Sequence, residues 1–181
     1  MMKLFFTKKL LRWNKKYNRR EMPWKGEKDP YKIWLSEIIL QQTRVEQGWN
    51  YYLKFINTFP SVQQLAHAPD TKIFKLWEGL GYYSRCKNLI ATAKIIDKEY
   101  NGKFPDSYEK ILSLPGIGPY TAAAIASFAF NLPYAVVDGN VIRVLARFFG
   151  ISLSSLSPEG KKTFANLAQT LLDKDQPGKY N

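Results

Sequence analysis

Apolar residues recur every three to four positions along nearly the whole chain, and no stretch alternates with the period of two that a strand needs. That property restricts the fold to an all-α architecture. Lys8 to Tyr17 reads as a basic helix. Asp29 can cap a helix with Pro30 in its first turn and Ile33, Trp34, Ile38 and Val45 on one stripe. Gly48 to Phe59 continues as a second helix, closed by Pro60. Ser61 and Asp70 open two shorter ones, the latter ended by Gly79 or Gly81. Tyr83 to Tyr100 is a long amphipathic helix stopped by Asn101-Gly102, and Asp106 and Ser107 offer caps for a short helix before Leu114. An alanine-rich helix from Thr121 to Phe130 is broken by Pro133. Asp138 caps Val141 to Phe149, and Ser157-Pro158 opens a helix through Leu172. Gln176-Pro177-Gly178 reads as a break with no element after it, as in an interrupted chain.

The 181 residues suit one domain or two lobes sharing a core. Lys and Arg number 27 against 15 Asp and Glu, a formal +12, which favours a polyanionic partner: nucleic acid first, an anionic membrane surface second. The same charge would also suit a protein that is merely soluble. Cys86 is the one cysteine, which excludes an internal disulfide and an all-cysteine metal cluster and reads as a small packing residue. No apolar run has the length of a membrane span and no signal-peptide core is present, so a soluble, cytoplasmic protein is expected. His67, the single histidine, reads as a helix-surface residue.

Three clusters carry chemistry. In Leu114-Pro115-Gly116-Ile117-Gly118-Pro119-Tyr120, two glycines flank an apolar residue directly before a helix start. Gly116 and Gly118 would let the backbone come close to a phosphate, which the helix N-terminus attracts without reading sequence. An ordinary turn between helices uses the same residues. The second cluster is a pair of acids. Glu37 has Ile33 and Trp34 one turn before it and Leu40 one turn after, so desolvation should raise its pKa and suit it to donate a proton. Asp138 lies where VVDGN meets a helix start, whose dipole and amides favour the anion. An acid and an anion together meet the needs of glycosidic cleavage. Taken singly, Asp138 reads first as an N-cap, and Glu37 as the edge of an apolar stripe. The third cluster is polar and aromatic residues at helix ends, Gln41-Gln42-Thr43 and Gly79-Leu80-Gly81-Tyr82-Tyr83, suited to prop a gap left by an extruded base. Tyrosines in a helical protein are more often core.

The segments PWKGEKDPYKIWLSEIILQQTRV, LWEGLGYYSRCKNL, LPGIGPYTAAAI and VVDGNVIRVLAR together resemble the helix-hairpin-helix DNA glycosylase superfamily, specifically its MutY-type adenine glycosylase branch, over about Arg20 to Leu145. The resemblance implies a two-lobe, helix-hairpin-helix glycosylase fold. A six-helix bundle covers 30–134, with the hairpin motif at 112–130, and a second lobe joins 1–29 to 135–181. It implies a monomer that binds duplex DNA and removes adenine mispaired with 8-oxoguanine or guanine. Glu37 would protonate the adenine and activate water, and Asp138 would stabilise the cationic sugar. Tyr120 and Asn140 would line the pocket with Arg20, Trp24 and Leu40 as neighbours, and Gln41, Gln42 and Tyr82 would enter the duplex. The carbonyls of Leu112, Leu114 and Ile117 form a candidate monovalent-cation site. Bifunctional relatives carry a lysine where this chain has Tyr120, and the endonuclease III branch has a Thr-His pair where it has Gly139-Asn140, so a monofunctional enzyme is implied.

Family members continue into a four-cysteine loop holding a [4Fe-4S] cluster and a domain that recognises 8-oxoguanine. Neither is present here, so a fragment is expected, with weaker discrimination of 8-oxoguanine. Three alternatives stay open: a thymine-mismatch glycosylase of the same superfamily, a non-catalytic DNA-binding module, and, last, a membrane-surface protein.

Overall fold

A computed structural model describes residues 2–181, without the side chain of Lys3; Met1 lies outside the described residues. They form eleven helices and no strand. These are α1 (Met2–Tyr17), α2 (Pro30–Leu40), α3 (Val45–Thr58), α4 (Val62–His67), α5 (Asp70–Trp77), α6 (Tyr83–Tyr100), α7 (Tyr108–Leu112), α8 (Pro119–Phe130), α9 (Gly139–Phe149), α10 (Pro158–Leu171) and α11 (Pro177–Tyr180).

Most boundaries follow local chemistry. Asp29 accepts from the Tyr31 amide ahead of Pro30, and Ser61, Ser107 and Ser157 cap α4, α7 and α10 in the same way. Asn101 and Asn131 end α6 and α8 in the left-handed conformation. Asp70 lies in the first turn of α5, where Pro69 occupies the cap position, and α5 stops at Trp77, before either glycine.

Two boundaries differ from the expectation. Val45 does not extend α2: the helix ends at Leu40, Gln42 turns left-handed at φ 54°, and Val45 begins α3. The last carbonyls of α2, on Ile38 and Ile39, accept hydrogen bonds from Arg85 at 3.1 and 3.0 Å, so they are satisfied without a further turn. The stretch after Gln176 is also not bare. The Gln176 carbonyl accepts from the Lys179 and Tyr180 amides, closing the short helix α11, and Pro177 is buried. A Cβ at Gly178 would stand 2.7 Å from the Ser127 carbonyl, so α11 docks on α8 with glycine at the contact.

Two main apolar clusters organise the molecule. The larger draws on α2 to α8 around Trp34, Phe55, Trp77 and Ile125. Helix α8 is buried continuously from Thr121 to Ser127, and its alanines let α2 approach closely enough to bury Tyr31, Trp34, Leu35 and Ile38. Burial of each large apolar side chain there contributes about 1.5–3 kcal/mol. The second cluster joins the two ends of the chain: Phe6 of α1, Leu145 of α9, and Phe164, Ala168 and Leu171 of α10. The Phe6 ring meets Phe148 edge-on at 4.8 Å, and the Thr7 hydroxyl donates to the Leu171 carbonyl at 2.8 Å. No helix among the described residues is long and apolar enough to cross a membrane.

Candidate active site

Close packing of α2 on α8 sets Glu37 of the first helix against Tyr120 of the second. The Tyr120 hydroxyl hydrogen-bonds the Glu37 carboxyl, and Asp138 is near enough to repel its charge. Burial is the main effect at Glu37 and, with Asp138, outweighs the tyrosine's hydrogen bond, so the carboxyl rises from 4.5 to about 7. Burial, with the neighbouring carboxylates, also pushes the Tyr120 phenol far above its ordinary range, so it stays a neutral donor.

Asp138 caps α9. One carboxylate oxygen accepts from the amides of Asn140 (2.9 Å) and Val141 (2.8 Å), and the other from the Asn140 side-chain amide (2.9 Å). Arg143, one turn on, donates to the Asn140 side-chain oxygen at 2.9 Å and so fixes which way that amide points. The irregular segment that delivers Asp138 is held by two side chains. Gln169 accepts from the Ala135 amide (3.0 Å) and donates to the Pro133 carbonyl (2.6 Å); Asn181 accepts from the Val136 amide (3.2 Å) and donates to the Tyr134 carbonyl (2.9 Å). The cap reading and the acid-pair reading of Asp138 are therefore compatible: capping is how the fold aims it.

Glu37, Tyr120, Asp138 and Asn140 are thus brought together. Among the described residues, no hydrogen bond or ion pair ties Arg20, Trp24 or Leu40 to them. Arg20 is exposed in the segment after α1. Trp24 is half-buried, with its ring 5.3 Å from Tyr52 and 6.1 Å from Trp49, and Leu40 closes α2 against Gly48. The larger described cavity, about 660 Å³, lies around Tyr31, Pro60 and Lys110 and includes none of the four. Glu37 and Asp138 are instead both partly exposed, beside a Tyr120 that is 38% exposed.

The hairpin runs from α7 into α8, with turn bonds from the Leu114 amide to the Ile111 carbonyl and from the Ile117 amide to the Leu114 carbonyl, both 3.2 Å. Gly116 needs its φ of +73°, and a Cβ there would stand 2.6 Å from Asn88 Cβ. Gly118 differs: its φ is −93° and nothing lies within 4 Å of its Cβ position. It opens α8 without a side-chain cap, leaving amide donors at a bare helix N-terminus. Of the three carbonyls in the candidate cation site, Leu114's already accepts one hydrogen bond, while Leu112 and Ile117 lie on either side of it. The protein's residues do not fit an iron–sulfur cluster: Cys86 is fully buried, burial pushes its thiol up to about 12, and no group of three or more His, Cys, Asp or Glu gathers among the described residues.

Gln42 and Tyr82 occupy two loops, both left-handed and both exposed, with Tyr82 64% exposed. Gln41, between α2 and Gln42, is half-buried and turns its carbonyl to Arg85. Arg85 and Arg143 are the two residues of this region that sequence reasoning passes over. A signal existed for each: Arg85 is a cation on the apolar stripe of Leu89, Ala93 and Ile96, and Arg143 sits one helical turn after Asn140.

Comparison with known proteins places the chain in a family. The model of the HhH-GPD superfamily base excision DNA repair proteins matches residues 35–170. An adenine DNA glycosylase of Buchnera aphidicola subsp. Baizongia pistaciae is 47% identical over 155 residues, covering 86% of this chain and 44% of that protein. The human adenine DNA glycosylase is 39% identical over 185 residues, 97% of this chain and 34% of that protein. The chain spans about half the length, or less, of the curated relatives it matches. Among solved structures, a thermostable thymine-DNA glycosylase superposes with TM-score 0.89 at 31% identity, covering 99% of this chain and 82% of that one. A non-covalent endonuclease III–DNA complex reaches TM-score 0.78 at 17% identity, a likeness of fold, over 99% of this chain and 82% of that one. A helix-hairpin-helix fold carrying one half-buried acid and one capping carboxylate, matched by the family model over most of its length, belongs to the HhH-GPD superfamily of base excision DNA repair proteins.

Proposed function

We propose that the chain is the catalytic part of a monofunctional adenine DNA glycosylase, removing adenine mispaired with 8-oxoguanine or guanine from duplex DNA. The observation that carries the reading is that Glu37, raised to about 7, is hydrogen-bonded by Tyr120 and lies within electrostatic reach of Asp138. Protonated Glu37 gives its proton to the adenine ring as the bond to the sugar breaks, so the base leaves neutral. Asp138 faces the resulting oxocarbenium-like sugar as a carboxylate. Water then adds to the sugar carbon, and its proton returns to Glu37. Tyr120 and Asn140 orient the two acids. Tyr120 is no amine, so no Schiff base forms and no strand is cut.

The uncapped start of α8 beside Gly118 suits a backbone phosphate, and the +12 charge supports association with DNA; the chain would act as a monomer in the cytoplasm. Carbonyls of Leu112, Leu114 and Ile117 would hold a monovalent cation in the turn. Arg20, Trp24 and Leu40 would meet the extruded adenine. Any [4Fe-4S] cluster would be held outside these residues.

Excess protein is incubated with a duplex bearing adenine opposite 8-oxoguanine, then treated with and without hot alkali. Cleavage only after alkali, only at the mispaired adenine, and lost in Asp138→Asn is expected. The likeness to a thymine-DNA glycosylase structure supports a second reading, thymine removal opposite guanine, and that duplex runs alongside. Cleavage there alone would replace the adenine reading; cleavage in neither would leave a DNA-binding module.

A further inference from the structure

Arg85, in the first turn of α6, is 8% exposed, yet among the described residues no carboxylate pairs with it. Buried cations are costly unless their donors are satisfied. Here backbone carbonyls from two loops satisfy most of the two terminal nitrogens' donors, while the buried Nε has no hydrogen-bond partner among the described residues. One terminal nitrogen, Nη1, donates to Ile38 O (3.1 Å), Ile39 O (3.0 Å), Gln41 O and Thr43 Oγ1 (3.2 Å). The other, Nη2, donates to Leu80 O (3.2 Å) and Gly81 O (3.4 Å). The guanidinium lies 5.2 Å from the Trp77 ring centre and 5.7 Å from that of Tyr82. Around it, Tyr51 donates to Glu78 O (2.6 Å) and Gln47 to Gly79 O (3.2 Å), so the second loop is also held from α3.

Each loop so gripped carries one non-glycine residue in the left-handed region with its side chain exposed: Gln42 (φ 54°) and Tyr82 (φ 46°). Left-handed backbone at such residues persists only where the surroundings over-determine it. We propose that Arg85 is a positioning residue that clasps the two loops into one two-pronged wedge, so that Gln42 and Tyr82 enter the duplex together when a base is extruded. The proposal rests on the base-excision reading given above. A planar guanidinium with two separate donor ends can hold two loops at once; a lysine ammonium, a point charge on a flexible stem, cannot.

Extrusion is measured apart from cleavage in an Asp138→Asn background, using 2-aminopurine at the target position opposite 8-oxoguanine, whose fluorescence rises on unstacking. Arg85→Lys is made in that parent and in a wedgeless version, Gln42→Ala with Tyr82→Ala. If Arg85 acts through the two prongs, its replacement lowers extrusion about tenfold in the parent and less than about twofold in the wedgeless protein, a strongly non-additive cycle. Binding to undamaged duplex, read by anisotropy, stays within about twofold, since phosphate contacts dominate it. Equal losses in both backgrounds, or undiminished extrusion in the parent, overturn the proposal. Should Arg85→Lys not fold, Thr43→Val removes one acceptor from the clasp and is read in the same cycle; a loss of about two- to threefold confined to the parent is expected, and any other pattern overturns it. Adenine release by the unaltered chain is scored separately. Arg85-dependent extrusion without release refutes the enzyme reading and keeps the clasp, release with Arg85-independent extrusion does the reverse, and no extrusion at all sinks both.

Discussion

Glu37→Gln is expected to stabilise the protein while silencing it, and the gain should depend on pH. The carboxyl stands at about 7 against an ordinary 4.5. At about 1.36 kcal/mol per pH unit, that difference penalises the charged form by about 3.4 kcal/mol. Glu37 is only half-buried, so solvent screening reduces the effective figure to about 2–3 kcal/mol. The folded state holds this proton more tightly than the unfolded chain does. Wild-type stability therefore carries no penalty below pH 4.5, declines as pH rises, and bears the full penalty above about 7. Glutamine does not titrate. The variant's advantage should thus grow by about 2–3 kcal/mol from pH 5 to pH 8, or about 4–12 °C in melting temperature for a chain of this size. The Tyr120 hydrogen bond to the carboxylate is already contained in the value of about 7, so it adds no separate pH-dependent contribution. Urea denaturation followed by tryptophan fluorescence at pH 5, 6, 7 and 8 measures the slope, and excision at each pH should fall at least about a hundredfold. A stability difference flat with pH, or one growing toward acid, would refute the desolvated acid.

Asp138→Asn keeps the two backbone amide bonds of the cap but turns an NH2 toward the Asn140 side-chain amide, so melting should fall by only about 2–4 °C, for a loss of about 1 kcal/mol. Its excision rate should nevertheless fall about a hundredfold or more, because the negative charge facing the sugar is lost. Phe6→Ala empties the contact with Phe148 and Phe149 in the second cluster and should cost about 3–5 kcal/mol in urea melts. Gly116→Ala meets Asn88 in a left-handed turn and should cost about 1–3 kcal/mol, with weaker binding of short duplexes by anisotropy. A melt unchanged by that substitution would mean the turn can relax.

The fold was legible wherever a boundary is chemical. Asp29-Pro30, Ser61, Asn101-Gly102, Asp138 and Ser157-Pro158 each mark a helix end with their own side chain or ring, and each lies at or within two residues of the boundary they signal. The α2–α3 break was not legible, because its cause is remote: Arg85 lies more than forty residues away and takes the carbonyls that another turn of α2 would have used. Helix α11 was missed because Gln-Pro-Gly reads as a breaker, while its stability comes from docking on α8. At the site, residue types and order were readable, since the acids stand beside helix signals. Their proximity was not, because it depends on an alanine-rich α8 letting α2 draw near and on Gln169 and Asn181 pinning the segment before Asp138.

The residue at position 120 ties these strands together. A lysine there would bring a cation within hydrogen-bond reach of Glu37, and a nearby positive charge favours the carboxylate, drawing its pKa back down. The acid would then reach neutral pH already ionised and have no proton to give. Tyrosine brings no charge. Its phenol, pushed far above its ordinary range by burial and by the two carboxylates, remains a neutral donor, and its hydrogen bond lowers the Glu37 carboxyl by less than burial and Asp138 raise it, so Glu37 keeps its proton to about pH 7. The same side chain has no free amine with which to attack the sugar. On the proposed reading, the absence of lyase chemistry and the possession of a proton to donate therefore follow from one choice of residue, Tyr120, which adds neither an amine nor a charge.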